Sequence, residues 1–181
     1  MVVRAVVFSA PEIAPELREF AEPVLESGSV LLETIASEVC GTDVHLFHGR
    51  LEGVPYPIIP GHVSVGRVLR VQGDVQDVEG EQIQVGEVVT VVVGQYTDHG
   101  PVEINPHTEL NRPHLQVRGC WGSDFGHLYR AVHTVARHAE RFPWRSMING
   151  QYSLDDATKA LQATERQESI KALILPNGPM R

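Results

Sequence analysis

Residues 30–45 read VLLETIASEVCGTDVH, so a run of strand-forming residues leads directly into a cluster of chemically reactive side chains. Residues 2–9 and 65–72 are likewise rich in Val, Ile and Leu, and Gly, Pro or Ser clusters bound all three runs. Short strands separated by turn residues predict a closed or partly closed barrel rather than alternating strand–helix units. The expected fold class is therefore α+β, mainly β with a few helices.

Composition indicates an ordinary soluble domain. The chain has 181 residues, an apolar content of 42% and a formal net charge of −8. The negative charge argues against a general nucleic-acid or membrane-surface role, and no apolar run approaches the length of a membrane span. The two cysteines, with an N-terminus that reads as a strand and not as a signal peptide, lead us to expect a cytoplasmic protein.

The second half of the chain carries fewer signals. Residues 86–94 are one nearly continuous apolar run, and residues 102–105 and 114–120 are predicted to be short strands around a polar loop. A helix is predicted over residues 124–141. A second is predicted to open at Ser153, where Asp156 would complete a capping box. With a last strand over residues 170–175, we expect one domain, 1–181, that ends in a short strand–helix appendage.

Two segments carry the chemistry of the chain. Residues 40–45 read CGTDVH, and residues 60–66 read PGHVSVG. Together they resemble the zinc-site segments of medium-chain dehydrogenases of the alcohol, threonine and sorbitol dehydrogenase type. The resemblance covers residues 2–90 and 91–176, with a seam near residues 90–92. It implies a GroES-like barrel from which the Rossmann nucleotide-binding domain is missing.

The resemblance assigns roles to four residues. Cys40 and His62 match the two zinc ligands, Thr42 matches the hydroxyl that passes on the substrate proton, and His45 matches the next member of that relay. Thiolate and imidazole are ligands that zinc prefers, and an open coordination position allows the metal to polarise a carbonyl or activate water. We therefore expect a zinc cofactor.

Several features depart from that family pattern. The glutamate that follows the ligand histidine in the family is Val63 here, and the usual third ligand belongs to the missing segment. The chain also has no Gly-x-Gly-x-x-Gly turn between a strand and a helix, which is the phosphate-binding turn of dinucleotide sites. We therefore do not expect NAD(P) binding.

Residues 94–100 read GQYTDHG, and we expect a third zinc ligand in this segment. Asp98 or His99 could complete a tripod with Cys40 and His62. The alternative is a turn in which Asp98 caps local backbone and His99 is solvated.

Simpler interpretations stay open for the remaining candidates. Asp124 and His127 form a weaker second pair, and a helix cap with a surface histidine is the alternative. Cys40 and His62 could themselves be a packed thiol and a hydrogen-bonded imidazole without a metal.

Three functions follow from these observations. The leading hypothesis is a zinc-binding, nucleotide-independent enzyme with lyase, isomerase or hydrolase chemistry on a small carbonyl or hydroxyl compound. The first alternative is a non-catalytic or engineered remnant that serves as a binding or scaffold protein. The second is a residual oxidoreductase that borrows NAD(P) from a partner chain. An exposed strand edge near the seam leads us to expect a homodimer, with no nucleic-acid or membrane partner.

Overall fold

The computed structural model describes residues 2–77, 79–92, 103–116 and 125–179. The chain divides into two compact units, one of Met1–Gln95 with Ala139–Arg181 and the other of Tyr96–His138. The first unit is built mainly from strands, which confirms the expected α+β class. The expectation of a single domain with a seam near residues 90–92 stays a prediction.

The described residues contain seven strands and three α-helices, together with three shorter helical turns. Their bounds are β1 Val2–Val7, β2 Glu16–Ala21, β3 Ser29–Val39, α1 Gly41–Phe47, β4 Val63–Gln72, β5 Val88–Val92, α2 Phe125–Arg137, β6 Ile148–Tyr152, α3 Ala157–Glu165 and β7 Lys171–Ile174. Among these helices, none is long and apolar enough to cross a membrane.

The described residues of the first unit form two sheets. Strands β1 and β2 form an antiparallel pair, and the other five form a sheet in the order β5-β4-β3-β7-β6. Strand β3 is the longest at eleven residues and occupies the centre of that sheet. Strand β6 runs parallel to β7, and α3 connects them in sequence. The C-terminal segment is thus joined to the barrel strands through the pairing of β7 with β3.

Helix α1 is anchored in the core of the first unit. Val44 and Leu46 on this helix form a buried cluster with Phe8, which follows β1, and with Leu161 of α3. The Tyr56 hydroxyl donates a hydrogen bond to the Leu46 carbonyl. Burial of these apolar side chains fixes α1 against two other segments of the chain.

Two sequence-based expectations for the second unit are corrected. Residues 103–105 are not a strand, and the predicted polar loop begins with a π-helix over Pro106–Asn111. The side chain of Asn105 caps this helix by accepting from the backbone N–H of His107, at 3.1 Å. Residues 114–116 are also not in a strand, while the rest of the predicted strand 114–120 and residue 102 lie outside the described residues. Helix α2, Phe125–Arg137, confirms most of the helix predicted over residues 124–141, while residues 138–141 form a turn.

The expected capping box before α3 is also wrong. The Ser153 hydroxyl donates to Oδ2 of Asp156 at 3.0 Å instead of accepting from the backbone. A short 3₁₀ turn, Leu154–Asp156, stands between Ser153 and the first residue of α3. The Asp156 carboxylate also accepts from Lys159 at 2.6 Å, so its hydrogen bonds go to side chains.

Candidate metal centre

The pairing of β3 with β4 brings the two motif segments together. In this antiparallel pair Ser37 lies opposite Ser64. Cys40 follows the last residue of β3, and His62 precedes the first residue of β4. Because neighbouring antiparallel strands end and begin at the same edge of a sheet, the two side chains emerge side by side although 22 positions separate them.

The thiol and the imidazole are in direct contact. Sγ of Cys40 lies 3.5 Å from Nε2 of His62, and both residues are half-buried. Cys40 is also the N-cap of α1, and its sulfur accepts from the backbone N–H of Thr42 at 3.3 Å. This arrangement holds the sulfur at the start of the helix.

Asp43 joins the two segments and was assigned no role from the sequence. Its Oδ2 accepts from the backbone N–H of Cys40 at 2.8 Å, and the N–H of Gly61 also bonds to its carboxylate. Its Oδ1 lies 3.9 Å from Nδ1 of His62. The carboxylate therefore faces one nitrogen of the imidazole while the other nitrogen faces Cys40. Asp43 stands three residues after Cys40, which is the spacing of a capping box, but the usual pair at that spacing is Ser or Thr followed by Glu or Gln.

Burial dominates the electrostatics of Asp43. The residue is only 4% exposed, and this burial raises the pKa of its carboxyl above the ordinary value. The hydrogen bond from the Cys40 backbone and the proximity of His62 act in the opposite direction without cancelling that effect. Metal binding at His62 would place positive charge beside this carboxyl and favour its ionised form.

Gly61 is required by its backbone conformation. Its φ of +106° lies in the region that L-residues avoid, and a Cβ at this position would stand 3.0 Å from the Ser37 hydroxyl. The Ser37 hydroxyl is itself fixed by a hydrogen bond from Ser64 at 3.0 Å. The glycine therefore lets the chain turn tightly just before His62.

The two relay candidates lie on α1. Thr42 and His45 are both exposed and stand three positions apart, a spacing that places side chains on one face of a helix. Both are on the helix that Cys40 caps, so they can serve the same centre. Their roles as relay residues stay predictions.

The candidates for a third ligand cannot be placed. Asp98, His99 and Asp124 lie outside the described residues, and His127 is exposed on α2. Within the described part of the chain, one group of at least three potential ligands clusters closely, and it consists of Cys40, Asp43 and His62, with ligand atoms within 4.8 Å of one another.

A cavity of about 840 Å³ lies within the first unit against β1, β3 and α3. Its walls are largely apolar, and Ser37 and Ser64 contribute hydroxyls. It reaches the candidate centre at Asp43 and Gly61, not at the sulfur or the imidazole.

The donor atoms fit a zinc ion. Zinc–thiolate and zinc–imidazole bonds are about 2.3 Å and about 2.0–2.1 Å long, so two such ligands at a tetrahedral angle lie about 3.5 Å apart. The observed separation of Sγ and Nε2 is 3.5 Å. A carboxylate facing the second imidazole nitrogen is the usual support for a histidine that binds a metal. Asp43 lies on that side of the ring, with Oδ1 3.9 Å from Nδ1, which is longer than a hydrogen bond.

Comparison with known proteins agrees with this geometry. The family model described as the alcohol dehydrogenase GroES-like domain matches residues 26–143. The chain therefore belongs to the GroES-like domain family of alcohol dehydrogenases. Because the matched segment includes residues 90–92, it does not locate the expected seam.

Two curated relatives illustrate the similarity. An alcohol dehydrogenase of Geobacillus stearothermophilus is 35% identical over 104 residues, which are 52% of this chain and 31% of that protein. An L-threonine 3-dehydrogenase of Cutibacterium acnes is 31% identical over 90 residues, which are 47% of this chain and 26% of that protein. The chain thus spans less than a third of the length of these relatives.

A solved structure shows the same fold across nearly the whole chain. An alcohol dehydrogenase from Thermotoga maritima superposes with a TM-score of 0.80 and covers 98% of this chain and 100% of that one. Its sequence identity is 15%, so the likeness is one of fold. The expected resemblance to the GroES-like part of medium-chain dehydrogenases is confirmed.

Proposed function

We propose that this chain binds one zinc ion through Cys40 and His62 and acts on a small carbonyl or hydroxyl compound. The observation that carries the proposal is the 3.5 Å separation of Sγ and Nε2, supported by the buried carboxylate of Asp43 behind the imidazole. A hydrogen bond between thiol and imidazole without a metal has a similar length, so the metal analysis below decides between the two interpretations.

The residues of the site would have three roles: metal binding, orientation of the imidazole and proton transfer. Cys40 and His62 would hold the metal, which when bound supplies a Lewis acid for a carbonyl or hydroxyl oxygen. Asp43, with Oδ1 3.9 Å from Nδ1, would favour the imidazole tautomer that carries its proton on Nδ1 and leaves the lone pair of Nε2 for the metal. Thr42 and His45, on the exposed face of the helix, would carry a proton between the substrate oxygen and solvent.

The substrate class follows from the donor set and from the relatives. The two relatives described above are named for alcohol and for L-threonine, both of which carry a hydroxyl group. We propose a small molecule with a hydroxyl or carbonyl group, and a nucleotide-independent reaction of the lyase, isomerase or hydrolase type. The ligand that completes the metal site is proposed to be Asp98 or His99.

Metal analysis tests the proposal. Purified chain dialysed against trace zinc should retain about one zinc per chain by mass spectrometry of the metal content, and Cys40→Ser and His62→Gln should each lose it. Asp77→Asn, a change in an exposed turn, serves as the control. Retention of zinc by both ligand variants would contradict the assignment, and zinc-free wild type would favour a non-catalytic scaffold.

A separate proposal concerns assembly and location. Strand β5 is an edge strand in the described sheet, and Val88 on it is 53% exposed. Such an edge can pair with a second copy, so we propose a cytoplasmic homodimer. Light scattering coupled to size exclusion should give twice the mass of one chain. A monomer at micromolar concentration would contradict it.

A further inference from the structure

His48 is held between two carboxylates at the end of α1 opposite Cys40. Its Nδ1 lies 2.6 Å from Oε1 of Glu12, in the loop before β2, and its Nε2 lies 2.7 Å from Oε1 of Glu165, the last residue of α3. The imidazole is only 16% exposed. Three segments that are distant in sequence therefore meet at one ring.

The hydrogen bonds define the protonation state of this ring. A neutral imidazole has one N–H, and ionised carboxylates only accept hydrogen bonds. Both bonds can form together only when His48 is an imidazolium. In agreement, the bonds to Glu12 and Glu165 raise the pKa of His48 above its ordinary value of 6.5.

Among the described residues, two carboxylates contact the ring directly. Glu12 faces it from the loop and Glu165 from α3, while Asp43 and His45 are the other titratable side chains of α1. Beyond Glu165, Arg166 lies 3.9 Å from Glu168. The loop is also tied to α1 by the backbone, since the N–H of Glu12 donates to the carbonyl of Phe47 at 2.8 Å.

We propose that His48 is a positioning residue for the Cys40 centre, acting as an imidazolium that fastens the end of α1 to the Glu12 loop and to α3. Helix α1 is seven residues long and carries Cys40 as its N-cap and Asp43 in its first turn. A shift of its far end therefore moves the sulfur and the carboxylate. Release of the proton from His48 removes one of the two bonds and loosens α1. The consequence at Cys40 rests on the proposed metal function, whereas the bridge itself does not.

Histidine ring NMR on the metal-free full chain tests the bridge. His48, assigned by its loss in His48→Gln, should titrate with a midpoint above 6.5. The midpoint should fall in Glu12→Gln and in Glu165→Gln, and Glu168→Gln should leave it unchanged as a matched control. A wild-type midpoint at or below 6.5, or one that neither test variant moves, would overturn the bridge.

Cobalt binding tests the positioning role. At pH 6–7 the wild type should bind Co²⁺ several-fold more tightly than His48→Gln, and the ratio of the two affinities should approach one as the pH rises beyond the His48 midpoint. A ratio that stays constant with pH would overturn the positioning role. Glu12→Gln, which keeps the ring, provides the same comparison if His48→Gln does not fold. Wild type that binds no cobalt would contradict the metal function and the positioning role together, while the NMR result would still decide the bridge.

Discussion

Asp43 connects the residues of the candidate centre, and the effect of its charge on zinc affinity can be measured separately. Asp43→Asn keeps the size of the side chain but removes the charge that faces His62. Loss of a carboxylate behind a metal-binding histidine typically lowers metal affinity roughly 10–100-fold. Competition with a chromophoric zinc chelator should show this loss, and Asp155→Asn, at an exposed position, should bind zinc like the wild type. Unchanged affinity in Asp43→Asn would argue against the supporting role.

Gly61 offers a second measurement at the residue scale. Gly61→Ala should lower the free energy of unfolding by about 1–2 kcal/mol or more, because an alanine there adopts positive φ and its Cβ meets the Ser37 hydroxyl. Gly86→Ala is the matched control, since Gly86 has φ +96° but open space around the added Cβ. Urea unfolding of both variants separates the cost of the conformation from that of the contact. Equal losses would show that the contact with Ser37 costs nothing.

At the scale of single elements, α3 stabilises α1 through the core. Leu161 on α3 is 5% exposed and packs in the cluster with Val44 and Leu46. Leu161→Ala should cost about 2–5 kcal/mol of unfolding free energy because it leaves a cavity. Ile170→Ala, at a residue that is 65% exposed, should change it by less than about 0.5 kcal/mol. Chemical denaturation measures both, and a small effect at Leu161 would contradict this packing.

The bridge at His48 predicts a pH dependence of the attachment of α1. The pKa of His48 is raised in the folded chain, so its stabilising contribution is complete below 6.5 and is lost as the pH rises through the folded value. The urea midpoint of the wild type should therefore exceed that of His48→Gln most at pH 6 and least at pH 9. A difference that grows with pH would have the wrong sign.

The elements differ in how well the sequence predicts them, and composition explains the difference. Runs of Val, Ile and Leu predict β1, β3 and β4, but β2 reads ELREFA and β6 reads INGQY. These two strands have too few apolar residues to be recognised from the sequence. They form because the partner strands in their sheets stabilise them. Helix α1 is not predicted from the sequence, because a helix of seven residues has little stability of its own. Its stability comes from burial of Val44 and Leu46.

The residues of the site also differ in how well the sequence predicts them. The pairing of Cys40 with His62 was predicted from the motif, whereas the role of Asp43 depends on the strand register that brings Gly61 and His62 to it. Likewise, nothing in the local sequence relates His48 to Glu165, which are 117 positions apart. Contacts of this kind arise from tertiary structure, and pattern analysis of single segments cannot supply them.

At the scale of the whole molecule, metal binding and folding should be coupled. The two ligands come from segments that meet only in the folded chain, so zinc should bind the native state preferentially. With free zinc at 100 times its dissociation constant, the stabilisation should be about 2.7 kcal/mol. Added zinc should raise the thermal unfolding midpoint of the metal-free wild type, and it should not raise the midpoint of Cys40→Ser. Equal shifts in both would indicate zinc bound elsewhere.

The proposed function requires that Cys40 and His62 bind the same zinc ion. X-ray absorption at the zinc edge tests it most directly, since the technique reports the atoms bound to the metal and their distances. We expect one sulfur at about 2.3 Å and imidazole nitrogen at about 2.0–2.1 Å, with the sulfur lost in Cys40→Ser. A zinc ion surrounded by oxygen and nitrogen alone in the wild type would contradict it.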